Sequence, residues 1–89
     1  MGEETAKPIR LSEHAARYAL TRGFEAAEVR RAIREAPWQR AEENRMECRL
    51  DFPYNNTWNG RRYATKRVRP FFVEEPDEIV VVTVITYYF

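Results

Sequence analysis

The chain is poor in the residues that make chemistry easy to place. Of its 89 residues, one is cysteine and one histidine. A lone cysteine, Cys48, excludes a disulfide within the chain and fits a reducing compartment. One histidine and one cysteine supply too few nitrogen and sulfur ligands for a zinc cage, so no metal is expected. There are three glycines, and no glycine-rich loop to cradle phosphate; nor is there a serine-nucleophile motif. No cofactor is expected. The N-terminus, Met1-Gly2-Glu3-Glu4-Thr5-Ala6, lacks the basic flank and apolar core of a signal peptide, and Ala6 breaks the myristoylation pattern. No apolar run reaches the roughly 20 residues of a membrane helix. No membrane association and a cytoplasmic location are the expectations.

What the chain does have is a strand-forming tail. From Ile79 to Phe89 no charge interrupts it, and almost every residue is β-branched or aromatic, types that suit a pleated, packed surface. Alternation places Ile79, Val81 and Ile85 on one face and Val80, Val82 and Val84 on the other. A strand apolar on both faces is expected inside a sheet, with both faces and at least one edge covered.

Residues 1–8 are polar, end at Pro8 and are expected to be frayed, which leaves 9–89 as a single domain. Ile9-Arg10-Leu11 is too short to read alone but can pair with the edge of the tail. Ser12 reads as the N-cap of a first helix that stops at Gly23. A second helix is expected over residues 25–36, with Ala26, Val29, Ile33 and Ala36 as its apolar stripe and Pro37 as its stop. Phe24 and Trp38 flank it as core plugs. Residues 46–54 alternate, with Met46, Cys48, Leu50 and Phe52 on one side and Glu47, Arg49 and Asp51 on the other. The cluster 55–60 closes with Asn59-Gly60, a hairpin signal. A second strand follows to about Phe72, where Pro70 suggests an edge or a bulge. The acidic turn 74–78 leads into the tail. The expected fold is α+β: two N-terminal helices packed on a three- to four-stranded antiparallel sheet.

Charge placement carries the functional suggestion. From Asn55 to Val73 there is no acid, but there are Arg61, Arg62, Lys66, Arg67 and Arg69, interleaved with Trp58, Tyr63, Phe71 and Phe72. Such a pattern can follow a phosphate backbone and stack bases; equally, Glu47, Asp51 and the acidic turn can neutralise it. His14 is the only side chain whose ordinary pKa lies near neutrality. Beside Arg17 on a helix it can act as general acid or base while arginine stabilises phosphate charge. The commoner role for such a residue is a half-buried histidine bonded to a backbone carbonyl. Cys48 reads as core, and Tyr87 and Tyr88 point to opposite faces.

Two blocks carry a resemblance. Leu11-Ser12-Glu13-His14-Ala15-Ala16-Arg17 continuing to Arg22-Gly23-Phe24 and Glu28-Val29, with Asp77-Glu78-Ile79-Val80-Val81-Val82-Thr83-Val84, resembles a small bacterial domain-of-unknown-function family grouped with the RelE/ParE/BrnT-like toxins. Glu47-Cys48-Arg49, Asp51-Phe52-Pro53 and the stretches 64–66 and 73–76 resemble a subgroup of it. The resemblance implies a RelE/BrnT-like fold, an antitoxin partner, and either metal-independent RNA cleavage, often on the ribosome, or gyrase inhibition. By position, His14, Arg17 and Arg22 match its first-helix pattern and Thr83 its last-strand pattern.

Together these readings give an expectation and an alternative. The expectation is a toxin-like ribonuclease acting on mRNA, with His14 and Arg17 catalytic and Arg22, Arg49, Arg61, Lys66 and Arg67 as the pool for phosphate or nucleic-acid binding. Lys66 and Arg67 must point to opposite faces of their strand. The alternative is a non-catalytic protein- or nucleic-acid-binding module that assembles through its C-terminal strand, with a second copy as homodimer or with an antitoxin.

Overall fold

The computed structural model describes residues 7–89. The elements run β1 (Ile9–Leu11), α1 (Glu13–Arg17), α2 (Ala19–Arg22), α3 (Ala26–Glu35), β2 (Gln39–Arg40), β3 (Met46–Glu47), β4 (Leu50–Trp58), β5 (Arg61–Glu74) and β6 (Ile79–Tyr88). β5 is the spine of one sheet. β6 pairs antiparallel along one of its edges, and β3 and β4 pair in tandem along the other. β2 adds outside β3, and β1 adds parallel to β6.

This overturns the expected architecture. Among the described residues the sheet is mixed and has six strands rather than three or four, and three short helices replace two. Ile9–Leu11 pairs with the tail edge as it was expected to, Ile9 opposite Ile79, while the two-residue β2 is too short to be read from the sequence and pairs with β3. The expected first helix is divided at Tyr18, whose backbone leaves helical geometry (φ −93°, ψ 4°) and whose N–H turns back to the Ala15 carbonyl at 3.3 Å. The break seats the Tyr18 ring between His14 (4.9 Å between centroids) and the Arg22 guanidinium (4.5 Å).

Where local chemistry decides, the expectations hold. The Ser12 hydroxyl accepts from the Ala15 N–H at 3.1 Å, and Gly23 ends α2 at φ +74°. Of the expected stripe Val29, Ile33 and Ala36 are buried and Ala26 half-buried, Ala32 joins them in the core, and Ala36 before Pro37 is extended at ψ 150°. Asn59 and Gly60 both have positive φ, 50° and 83°, as a type I′ hairpin turn requires.

Pro70 lies in the central strand, not at an edge. Its partner is Cys48, whose N–H reaches the Pro70 carbonyl at 3.4 Å. Proline has no N–H to return the bond, so the ladder lapses at Cys48 and Arg49 and the expected strand 46–54 is divided into β3 and β4. Pro53 faces its missing donor to the open edge of β4, where it costs nothing.

The tail is buried as expected, but its faces are not the expected ones. The register on β5 shifts from Phe71↔Thr83 to Phe72↔Val81, so Val82 is an extra, bulged residue. The fully buried side chains are therefore Ile79, Val81 and Val84, while Ile85 is only half-buried. They meet Phe72, Val68, Phe24, Ile33 and Val29 in one core between the helices and one sheet face. Among the described residues no helix lies over the other face, contrary to the expectation that both would be covered. The Val82 bulge also decides the fate of the two tyrosines. Past it, Tyr88 falls on the helix side and Tyr87 on the open side.

Of the expected frayed segment, residues 1–6 lie outside the described residues. From Lys7 the chain is held: Lys7 Nζ meets Glu74 at 2.9 Å, and the Pro8 carbonyl accepts from the Ile79 N–H at 2.9 Å. Among the described residues no helix is long and apolar enough to cross a membrane.

Candidate functional site

The sheet disperses the sequence-predicted cations. Arg67 donates from Nε and Nη2 to Asp51 at 2.7 and 3.0 Å, directly across the β4–β5 pair. Arg69 forks onto Glu47 at 2.8 and 3.0 Å and gives a further N–H to the Tyr87 hydroxyl at 3.1 Å. Arg49 lies 3.7 Å from the same Glu47. The open sheet face is thus a neutralised ladder of crossed ion pairs, the structural outcome that Glu47 and Asp51 made possible from the start. Arg49 and Arg67 stand there, and Lys66 on the opposite, helix-facing side.

These pairs have a pH signature. The Arg69 hydrogen bonds hold the Glu47 carboxyl below its ordinary value of 4.5, and Arg67 does the same for Asp51 from 3.8. A carboxyl depressed in the folded chain binds fewer protons than in the unfolded chain. Its stabilisation is full above the unfolded pKa and fades as pH falls through the folded one. Thermal melts between pH 7 and pH 2 are expected to show stability flat down to about pH 5 and then falling. Glu47→Gln should flatten that fall more than Asp51→Asn, because Glu47 is 8% exposed and the Asp51–Arg67 pair is far better screened by solvent.

The helical residues gather elsewhere. His14 is exposed on α1 and meets only the edge of Tyr18 among ring contacts. Arg22, over the other side of that ring, donates to Thr83 Oγ1 at 3.0 Å and to the Val84 carbonyl at 2.8 Å. Thr86 donates its hydroxyl proton to the Arg22 carbonyl. The four positions His14, Tyr18, Arg22 and Thr83 therefore form one connected line from α1 to β6. Arg22 is largely committed to holding that junction. Arg17 is exposed beside it, and among the described residues no acid pairs with Arg17, Arg61 or Arg62.

On the other side of α2 lies a feature the sequence did not disclose. A bulge between Pro53 and Asn56, with Asn55 at φ 47°, bends the β4–β5 hairpin. Three of its aromatics converge on Tyr88: Trp58 stacks at 5.0 Å and 15°, Tyr54 meets it edge-on at 5.1 Å, and Tyr63 lies at 5.7 Å. The Tyr88 hydroxyl donates to the Gly23 carbonyl at 3.0 Å. Burial, reinforced by Tyr54 and Glu28, pushes this phenol up to about 12. The cleft between this cluster and α2 has a volume of about 280 Å³. Leu20 stands at its rim, 92% exposed. Lys66 lines it at only 6% exposure, its Nζ 2.7 Å from Glu28 Oε1. The readable signal was a tryptophan beside a hairpin turn, where an aromatic has no core to fill.

Cys48 is core: burial, aided by the Glu47 charge, pushes its thiol up to about 12, which removes it as a nucleophile. Among the described residues no three His, Cys, Asp or Glu side chains are placed to hold a metal ion.

Comparison of the chain with protein-family models, with curated proteins and with solved structures finds no match.

Proposed function

We propose that this chain binds single-stranded RNA along the surface that runs from α1 across α2 to the tip of the β4–β5 hairpin. The observation that carries the reading is the sorting of its cations. Arg67 and Arg69 are tied to acids on the open sheet face, whereas Arg17, Arg61 and Arg62 have no acid partner among the described residues, and Arg61 pairs across the hairpin with Trp58 and lies over the Tyr63 ring. Free cations bind phosphates, and aromatic faces stack bases whatever their sequence. In the toxin-like reading His14 adds chemistry. Its exposed imidazole takes the 2′-hydroxyl proton, the 2′-oxygen attacks phosphorus, and the 5′-oxygen leaves with a proton from water. Arg17 steadies the charge on phosphate.

Binding and cleavage separate in one set of measurements with a labelled single-stranded RNA at several salt concentrations. Arg17→Ala and Arg61→Ala are each expected to weaken binding and to reduce the salt slope by about 0.7, the share of one phosphate contact. His14→Ala is expected to leave binding intact and slow cleavage by about 10²–10⁴-fold. Absence of binding at low salt defeats the whole reading. Binding without His14-dependent cleavage, with and without ribosomes, removes the ribonuclease part.

A second reading rests on the outer edge of β6. β1 covers it only as far as Leu11↔Val81. Beyond that point Ser12 Oγ donates to the Val82 carbonyl and Arg22 to the Val84 carbonyl, and among the described residues no strand pairs there. A strand from a second copy or from an antitoxin fits that edge. Light scattering at micromolar protein tests the first case, and a strict monomer removes it.

A further inference from the structure

We infer that the cleft beneath Trp58 is a nucleobase subsite that selects bases bearing a ring carbonyl, with the Lys66 ammonium as the selecting group. The inference rests on the RNA-binding reading and adds to it a substrate preference.

An ammonium carries three N–H donors. The Lys66 side chain is more than nine-tenths buried, and the one close polar partner of its ammonium among the described residues is Glu28 Oε1 at 2.7 Å. The Tyr54 ring also faces it, its centroid 5.9 Å away. Donor capacity is therefore left over on a largely buried side chain that lines the cleft. Burying a charge this far is costly unless its hydrogen bonds are made. A ligand acceptor makes one of them.

The walls define the shape of that ligand. Trp58 lies flat on Tyr88, which is itself fixed by its hydrogen bond to Gly23, so the indole is a held, planar platform. The volume of about 280 Å³ lies just below the usual range of ligand pockets, roughly 300–1,000 Å³. This suits one planar ring system and no more. A flat group with an acceptor at its edge, on a chain whose phosphates meet Arg17 or Arg61, is a nucleobase with a carbonyl: guanine, uracil or cytosine. Adenine's acceptors are ring nitrogens flush with the ring, with no exocyclic oxygen projecting toward the ammonium.

The test is a titration of the ¹⁵N-labelled chain with GMP, UMP, CMP and AMP, followed at the Trp58 indole N–H and the Gly23 amide. The three carbonyl-bearing nucleotides are expected to shift both signals saturably, at least about tenfold more tightly than AMP, the ratio of one charged hydrogen bond. In the doubly neutral Lys66→Met/Glu28→Gln chain the ratio should fall to about one while stacking on Trp58 persists. AMP binding as tightly as GMP in the native chain overturns the inference, as does the absence of saturable shifts at these two positions. The RNA binding measured with Arg17→Ala and Arg61→Ala is a separate readout. RNA binding with silent Trp58 and Gly23 signals sinks the subsite alone, and saturable nucleotide binding without RNA binding sinks the reading beneath it.

Discussion

Gly23→Ala is expected to be among the most destabilising single substitutions in the chain, at about 2–4 kcal/mol. Two costs add. Gly23 sits at φ +74°, where an L side chain strains its own backbone by roughly 1–2 kcal/mol. A Cβ there also falls 2.7 Å from the Trp58 ring and still closer to the Tyr88 hydroxyl. Neither can yield freely, because Trp58 and Tyr88 are stacked on each other and Tyr88 is bonded to the Gly23 carbonyl. Gly60→Ala is the control. Gly60 has φ +83° but nothing within 4 Å of its would-be Cβ, so only the backbone cost applies. For a domain of this size each kcal/mol moves the melting point by about 4–8 °C. Melts should therefore place Gly23→Ala well below Gly60→Ala, and its Trp58 and Tyr88 resonances should move. Equal losses in the two variants would mean that the aromatic cluster is not packed on Gly23 as described.

That glycine shows where the sequence was legible. Its role as a helix stop is local chemistry, readable from a glycine after an amphipathic run, and the same holds for Ser12, Pro37 and Asn59-Gly60. Its second role, as the floor under Trp58 and Tyr88, joins residues 35 and 65 positions apart, and nothing local announces it. The same divide runs through the sheet. The β4–β5 hairpin and β6 were visible as long alternating or β-branched runs. β2 was not, because two residues carry no period, and β3 was visible only as the start of the alternating run 46–54. The division at Cys48 requires knowing that Pro70 is its partner, and the exchange of faces in β6 requires knowing where Val82 bulges. For the site, residue types pointed to cations and aromatics as kinds. Which arginines were already spent on Glu47 and Asp51 depended on register, and register is a long-range fact.

The pair Lys66–Glu28 should show the largest dependence of stability on a single charge. Lys66 Nζ and Glu28 Oε1 are 2.7 Å apart, with side chains only 7% and 20% exposed. Removing one member leaves the other ionised where water solvates it poorly, a loss of about 3–5 kcal/mol when nothing replaces it. Glu28→Ala is expected near that range, since it strands the more buried partner and also removes the acceptor that caps the Glu25 N–H at 2.9 Å. Glu28→Gln keeps that cap and should cost less. Lys66→Met should cost less again, because Glu28 lies nearer to solvent and keeps its bond to Glu25. The decisive chain is Lys66→Met/Glu28→Gln, in which no charge is buried. Its stability should return to within about 1–2 kcal/mol of the native chain, since a buried pair replaced by neutral groups of similar volume is often neutral. Denaturant unfolding of the four variants closes a mutant cycle, and contacting charges should show a coupling of about 1–3 kcal/mol. Additive losses would show that Lys66 finds water rather than Glu28. In that event the ammonium has no donor capacity left over for a ligand, and the cleft loses its selecting group along with its buried ion pair.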